Sequence, residues 1–186
     1  MFSQAIAHTF TVWDPAKTVN VTFSGGNNLT ATTSAGGGCS GSKLGPAGGK
    51  YYCELTITTM TTSKIHVGLW NNGSNIGSVP NYLGLGAADY SYDATGIKTN
   101  NSSSSGYGAT FTVGDIISIY YDATGGTVGF MKNGADQGQA YGSIPAGLFV
   151  AFSSDVAGAA VGCTANFGAT PLTYTPPAGY QLGWFS

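Results

Sequence analysis

The sequence is poor in charged side chains. Its 186 residues include six lysines, no arginine, seven aspartates and one glutamate, so charged residues make up 8% of the chain and the net charge is −2. Nucleic-acid binding depends on clustered cations, bidentate recognition of bases depends mostly on arginine, and anionic membranes attract polybasic segments. The composition therefore predicts neither a nucleic-acid partner nor membrane insertion.

Metal-binding and disulfide-forming residues are also scarce. The two histidines, His8 and His66, lie far apart, and metal sites need three or four donors, so we predict no metal and no other cofactor. His66 is interpreted as an exposed or hydrogen-bonded strand residue. Cys53 and Cys163 alternate with apolar residues and are predicted to be small buried hydrophobes, whereas Cys39 lies in a glycine-rich stretch and is predicted to be an exposed free thiol.

The usual catalytic motifs are missing. The chain has no Gly-x-Ser-x-Gly elbow, no phosphate loop and no His-Glu-x-x-His motif. Glu54 has no acidic neighbour in the sequence, and an aspartate beside tyrosine or glycine, as at Asp89 and Asp93, is usually a turn residue. We predict that the protein is not an enzyme, and a glycan-degrading enzyme that uses Asp89 and Asp93 remains an alternative.

No window carries a sustained helical apolar stripe, and the segment from Met1 to His8 has neither a cationic region nor a long apolar run. The sequence therefore predicts a soluble product without a signal peptide or membrane span. What it does contain is 30 glycines, 11 tyrosines and nine phenylalanines, in short alternating segments separated by turn residues. These features, over a length suited to one domain, predict the all-β class.

The clearest pattern runs from residue 114 to 138. Ile117, Ile119 and Tyr121 share one face of a strand whose other face is also largely apolar, which predicts a central strand. Asp122 and the glycines after it predict a hairpin turn, and the dipeptide Asn133-Gly134 predicts a second one. The stretch thus predicts three strands in a meander.

Outside this meander, further short strands and loops alternate. The pentapeptide Tyr-Asp-Ala-Thr-Gly at 92–96 recurs at 121–125, which predicts the same turn used twice. The prolines of 171–180 predict an extended segment lying across the sheets, and Trp13-Asp14-Pro15 predicts a turn. Further strands are predicted at 19–23, 29–33, 50–60, 65–69, 82–84, 88–93, 148–153 and 164–167, and loops at 35–49, 70–81 and 100–108.

Several short motifs, which follow one another along the chain in the order given below, resemble those of SPRY domains, the core of the B30.2 group. They are Trp13-Asp14-Pro15, Gly49-Lys50-Tyr51-Tyr52-Cys53-Glu54, Val67-Gly68-Leu69, Tyr82-Leu83-Gly84, Gly114-Asp115-Ile116-Ile117, Tyr121-Asp122, Gly126-Thr127-Val128-Gly129-Phe130, Lys132-Asn133-Gly134, Asn166-Phe167-Gly168 and Pro177-Ala178-Gly179-Tyr180. The resemblance implies a bent antiparallel β-sandwich of two sheets over residues 11–180, with an arm at 1–10 and a tail at 181–186.

The resemblance also implies a non-catalytic module whose variable loops, at one end of the sandwich, bind a peptide or protein. Aromatic and amide residues beside these loops are the predicted contacts, since aromatics must carry an interface that lacks arginine. The alternative is that Tyr82, Tyr90 and Tyr92 are half-buried core residues. The predicted ligand-binding residues are Trp70, Asn71, Asn72, Tyr82, Tyr90, Tyr92 and Tyr107.

The biological setting follows from composition alone. An uncharged chain rich in Gly, Thr, Ser, Asn and Tyr is typical of phage and bacterial fibre, decoration or adhesion proteins. We predict a phage virion-surface protein that binds a virion protein, a host-surface protein or a glycan. The alternative is an intracellular, cytoplasmic protein-interaction module. A homo-oligomer, or attachment to a larger assembly through the termini and Trp184-Phe185, is left open.

Overall fold

A computed structural model describes residues 8–26, 29–33, 38–61, 63–74, 76–77, 80–156 and 158–186. Over these residues the chain forms fourteen strands and no α-helix. The strands are β1 (Trp13–Val19), β2 (Val21–Ser24), β3 (Thr30–Thr33), β4 (Gly38–Ser42), β5 (Lys50–Met60), β6 (Ile65–Trp70), β7 (Asp89–Asp93), β8 (Ile97–Asn100), β9 (Ser103–Gly106), β10 (Ile116–Asp122), β11 (Thr127–Lys132), β12 (Ala135–Gly142), β13 (Phe149–Ser154) and β14 (Val161–Asn166).

The strands form two seven-stranded sheets in which every pairing is antiparallel. The first sheet has the order β1-β4-β13-β6-β7-β8-β9, and the second has the order β12-β11-β10-β5-β14-β3-β2. A single residue, Asn20, with a φ of 52°, links β1 in one sheet to β2 in the other. The predicted antiparallel β-sandwich is confirmed.

The main core lies between the two sheets and follows the predicted alternation. Leu55 on β5, Ile117 and Ile119 on β10 and Phe130 on β11 are completely buried, as is Trp13 at the start of β1. The ring of Trp13 meets those of two other core residues edge to face, at centroid distances of 5.5 and 5.4 Å, an arrangement that aromatic pairs favour.

Each sheet also has a covered outer face. On the second sheet, Tyr52, Tyr120 and Met131 are buried beneath Leu172 and Tyr180 of the C-terminal segment. On the first sheet, a smaller cluster lies beneath the β6–β7 connection and consists of Trp70, Ile76, Leu83 and Ala151. This second layer explains why β10 is apolar on both faces.

The predicted turns are present. Asp122 Oδ1 accepts hydrogen bonds from the amides of Thr124 and Gly125, and Asp93 Oδ1 accepts them from Thr95 and a further amide two residues on. The repeated pentapeptide is therefore the same aspartate-capped turn used twice. Asn133 and Gly134 both have positive φ, 49° and 80°, as a two-residue hairpin turn requires.

Four local predictions were wrong. Residues 38–42 and 103–106, which were predicted to lie in loops, form β4 and β9, Trp13-Asp14-Pro15 begins β1, and Tyr82-Leu83-Gly84 is a turn. β4 has no hydrophobic alternation because its residues are small for steric reasons. A Cβ on Gly41 would lie 3.1 Å from ring atoms of Trp70, so an adjacent aromatic decides the residue here.

The cysteines and the chain ends also have defined places. Cys53 and Cys163 are free and buried, as predicted, and burial raises the pKa of both thiols. Cys39 lies on β4 and not in a loop, and its side chain is outside the described residues. Trp184 is buried and stacks on Tyr121 at 5.8 Å, so the tail docks on its own domain.

The N-terminal arm is described only from His8 onward. Phe10 forms a β-bridge with Phe185, and the amide of Thr11 donates to the carbonyl of Trp184 at 2.9 Å. Residues 1–7 lie outside the described residues. In the parts of the chain that the structure describes, no helix has the length and apolarity needed to cross a bilayer.

Candidate binding surface

The two ends of the sandwich differ in what they carry. At one end lie the β5–β6 turn, the β13–β14 connection and the β7–β8 turn, because Met60 pairs with Val161, Ile65 with Ser154 and His66 with Asp93. We call this end, together with Tyr82, the loop-end surface. The first described residues of the N-terminal arm and the C-terminal tail lie at the opposite end, where Trp184 packs near the start of β5.

A histidine and an aspartate face each other at the loop-end surface. His66 Nε2 lies 3.6 Å from Asp155 Oδ2, and Lys64 Nζ lies 3.8 Å from the same oxygen. The His66 side chain is only 3% exposed. Burial acts to raise the pKa of Asp155, but the His66 imidazole and the Lys64 ammonium outweigh it and hold this pKa below its usual range.

Tyr82 covers this pair. Its ring stacks on the His66 ring with centroids 4.4 Å apart and planes 27° apart, and it remains partly exposed. The amide of Leu83 donates to Ser153 Oγ at 2.8 Å, which fixes the backbone beside the ring. The loop-end surface thus presents one aromatic ring above a buried polar pair.

Three of the predicted ligand-binding residues lie near the other end. Trp70 is buried, and its Nε1 donates to the carbonyl oxygen and to Oγ of Ser74. Asn71 and Asn72 are exposed, and Trp70 and Asn72 line a groove of about 350 Å³ against β1.

The other predicted tyrosines close one side of the sandwich. Tyr90 and Tyr92 are buried in the core, more deeply than the half-buried positions of the alternative, and their rings do not lie on a surface. Tyr107 is partly buried, and its hydroxyl donates to the carbonyl of Gly138. Lys98 reaches across the same side and donates to Ala140 O at 2.7 Å. The structure therefore does not bring the seven predicted residues together, and ligand contact by the exposed ones stays a prediction.

The candidate catalytic carboxylates are structural. Asp89 and Asp93 lie on one strand four residues apart, about 13 Å at the usual strand rise, and glycosidase carboxylates are about 5 to 9.5 Å apart. Asp89 Oδ2 accepts from Ser74 Oγ and from the amide of Gly86. Glu54 accepts from the amides of two residues in the C-terminal segment. These contacts give each carboxylate a role in holding a turn or segment.

Ser153 lies directly opposite His66 across β13 and β6, so a serine, a histidine and an aspartate are neighbours. Neither ring nitrogen of His66 has a hydrogen-bond partner among the described residues, so Ser153 has no contact with a general base. The described residues also contain no cluster of three or more His, Cys, Asp or Glu side chains suited to a metal. The geometry suits binding and not acyl transfer.

Two wider grooves lie elsewhere and carry little chemistry. One of about 460 Å³ is formed by residues 168–176 and Leu182, and another of about 550 Å³ includes Phe10, Leu29 and Lys43. The first contains no charged side chain, and the second has Lys43 and His8 at its lining. Neither groove holds a buried unsatisfied polar side chain.

Sequence reasoning missed Asp155 as the partner of His66, and Lys64 as a second partner of Asp155. The sequence holds only an indirect signal, which is that Asp155 and Lys64 adjoin strands that pair with each other. The register of that pairing cannot be read from the motifs. His66 was predicted to be exposed or hydrogen-bonded, and both are wrong, because the ring is buried beneath Tyr82 and neither ring nitrogen has a hydrogen-bond partner among the described residues.

Comparison with known proteins gives the family. A model of the SPRY domain matches residues 50–170. The chain belongs to the SPRY family. It is 31% identical over 131 residues to Ran-binding protein 10 of Danio rerio, which is 68% of this chain and 20% of that protein. It is equally identical over the same length to the Ran-binding proteins 9/10 homolog of Drosophila melanogaster, of which it covers 13%.

Solved structures agree with this SPRY fold. The SPRY domain of human HERC1 superposes with a TM-score of 0.71 at 21% identity, over 82% of this chain and 96% of that domain. Stonustoxin superposes with a TM-score of 0.65 at 16% identity, over 85% of this chain and 27% of the toxin. The chain spans a fifth or less of the two curated relatives named above. SPRY domains are protein-interaction modules and generally non-catalytic.

Proposed function

We propose that this chain is a protein-interaction module that binds an extended segment of a partner protein at its loop-end surface. The observation that carries the proposal is the partly exposed Tyr82 ring stacked on His66, beside Asp155. Interfaces concentrate their energy in a few aromatic anchors surrounded by polar groups, and Tyr82 is such an anchor on a fixed backbone. The SPRY family match supports a protein as the partner class.

The location of the termini supports the same surface. Thr9 and Ser186 are hydrogen-bonded to each other at the end opposite Tyr82. A domain that is tethered through both termini therefore presents the loop-end surface away from the tether. This arrangement suits a module within a longer protein, as in relatives of which the SPRY match is a fifth or less.

Two settings were predicted for such a module. The relatives named as Ran-binding proteins favour the intracellular alternative over the virion-surface role, which rests on composition alone. Binding to a glycan and formation of a homo-oligomer likewise have no support beyond the sequence. We therefore propose a protein partner and an intracellular setting for this chain.

Selection from a display library of random linear peptides, with the purified domain as bait, tests the proposal. Isothermal titration calorimetry then gives the affinity of a selected peptide for the wild type and for Tyr82→Ala. We expect the substitution to weaken binding by about tenfold or more, because truncation of an aromatic anchor costs about 2 kcal/mol.

Tyr174→Ala is the matched control. Tyr174 is also a partly exposed tyrosine, but its ring packs on Gly134 at the outer face of the second sheet. We expect this variant to bind the peptide like the wild type. Equal losses of affinity in the two variants, or a peptide whose affinity is unchanged by Tyr82→Ala, would place the binding surface elsewhere.

A further inference from the structure

The His66–Asp155 pair is the least satisfied polar site in the described part of the chain. Five buried side-chain atoms there lack a hydrogen-bond partner, and three of them are His66 Nδ1, His66 Nε2 and Asp155 Oδ1. Buried polar groups are nearly always paired, and an unpaired one is destabilising because it has lost its hydration. A cluster of three therefore points to a state of this site in which they gain partners.

We propose that His66 is a proton-controlled latch of the loop-end surface, which binds Asp155 and holds Tyr82 when it is protonated and so strengthens partner binding. The part that concerns the partner rests on the function proposed above. The latch itself is a property of the free domain and can be tested without a partner.

The geometry leaves a short step between the two states. The Nε2 to Oδ2 distance of 3.6 Å is longer than a hydrogen bond, and charge-assisted bonds measure about 2.7 to 2.9 Å. Asp155 follows the last residue of β13, so its side chain can close this gap without breaking the sheet. A protonated imidazole donates from both nitrogens, and histidine is the side chain that ordinarily changes charge between about pH 5 and 8.

Charged groups of both signs lie around His66. Asp155 faces it from the β13–β14 connection, and Asp93 lies opposite it on β7, with its Oδ1 bound to turn amides. Lys64 is the one cation nearby, and it also lies within reach of Asp155. Between positions 62 and 157 the residues outside the described set have no ionisable side chain, since they are Thr62, Asn75, Ser78, Val79 and Ala157.

Tyr82 responds to the same proton. Its ring stacks on His66 with centroids 4.4 Å apart, and the face of an aromatic ring attracts a cation. Protonation thus holds the ring in place from below while Asp155 is drawn in from the side. A pre-organised anchor binds more tightly because less order is lost on binding.

The peptide selected above, chosen without His, Asp or Glu, reports on the latch. We expect its affinity for the wild type to be about fivefold higher at about pH 5.5 than at about pH 8, the low end of usual coupling between sites. His66→Phe keeps a ring beneath Tyr82, and Asp155→Asn removes the carboxylate that faces His66. Each variant should therefore bind the peptide with the same affinity at both pH values. His8→Gln removes the other histidine and should behave like the wild type.

A second measurement needs no peptide. Backbone amide resonances of Lys64 and Asp155 should shift between about pH 8 and 5.5 in the wild type and in His8→Gln, and stay in place in His66→Phe. Amide shifts without any selected peptide would sustain the latch and reject the proposed function. Peptide binding that is equal at both pH values would leave the proposed function standing and reject the part of the proposal that couples the latch to partner binding. A pH dependence that persists in His66→Phe, or resonances that stay fixed in the wild type, would overturn the latch.

Discussion

The carboxylate of Glu54 accepts a hydrogen bond of 2.7 Å from the backbone amide of Tyr174, although 120 positions separate the two residues. A second bond of 2.9 Å comes from the amide of Thr173. The only glutamate of the chain therefore attaches the C-terminal segment to the outer face of the second sheet. It is 2% exposed, so these bonds replace its hydration.

Replacing Glu54 by Gln should destabilise the domain by about 2 kcal/mol. The variant keeps the shape but loses the charge and one of the two acceptor oxygens, so one backbone amide then faces an NH2 donor. Hydrogen bonds to charged groups are worth about 1.5 to 3 kcal/mol. Urea unfolding measures the loss. Thr173→Ala is the control, because it keeps the backbone amide and removes only an exposed side chain. Equal stability of wild type and Glu54→Gln would show that the segment is held by packing alone.

Phe130→Ala should cost about 3 to 5 kcal/mol, and Ile119→Ala about 2 to 5 kcal/mol, because both side chains are completely buried between the sheets. Val113 is 49% exposed, so Val113→Ala should change stability by less than about 0.5 kcal/mol. Chemical denaturation of the three variants provides the test. A loss below about 1 kcal/mol for Phe130→Ala would contradict its core position.

Two glycines of one hairpin region separate backbone strain from side-chain collision. Gly134 and Gly138 have φ of 80° and 84°, but a Cβ at Gly134 would lie 2.6 Å from the Tyr174 ring, and one at Gly138 would meet nothing within 4 Å. Alanine at either site is strained by the positive φ. At Gly134 alone, overpacking against the ring adds about 1 to 3 kcal/mol. We expect Gly134→Ala to be less stable than Gly138→Ala by about 1 kcal/mol or more. Thermal unfolding of the pair measures this difference.

Stability should fall with rising pH between about 10 and 12. Burial raises the pKa of Tyr92 and of Tyr121 to about 12, whereas an unfolded tyrosine ionises near 10. The neutral phenols therefore stabilise the fold fully below about pH 10, and this contribution is lost as the pH rises through the folded values. Urea midpoints across this range measure the slope. Tyr121→Phe should reduce it, and an unchanged slope would assign the effect to other groups.

Partner binding should depend little on salt. The loop-end surface carries Lys64 and Asp155 as a pair, and no arginine is available for a cationic patch. We expect the affinity of a selected peptide to change by less than about threefold between about 0.05 and 0.3 M salt, since only unpaired surface charges are strongly screened. An affinity that collapses over this range would assign binding to charge and not to Tyr82.

The central meander was predictable because its information is local. Asn133 and Gly134 tolerate the φ that their turn needs, and Asp122 binds amides two and three residues away. β4 and β9 could not be predicted in this way. β4 is defined by its partners, with Gly41 fitted against Trp70, and β9 is an edge strand of serines that exists only through its pairing with β8.

The candidate site shows the same division. Tyr82 could be selected from the sequence as an aromatic residue beside a loop. Tyr90 and Tyr92 meet the same criterion, but they are buried. Strand pairing places Tyr90 and Tyr92 of β7 between the sheets, whereas Tyr82 lies in the β6–β7 connection outside them. His66 and Asp155 are 89 positions apart in the sequence and meet because β13 pairs with β6.

The sequence by itself determined the all-β class, the central meander, the aspartate turns and the lack of cationic binding surfaces, since these depend on composition and on neighbours a few residues apart. The tertiary structure alone decided that Glu54 holds the C-terminal segment and that His66, Asp155 and Tyr82 form one cluster. The physical reason is that register and sheet order bring distant residues together, and long-range pairing leaves no local pattern in the chain.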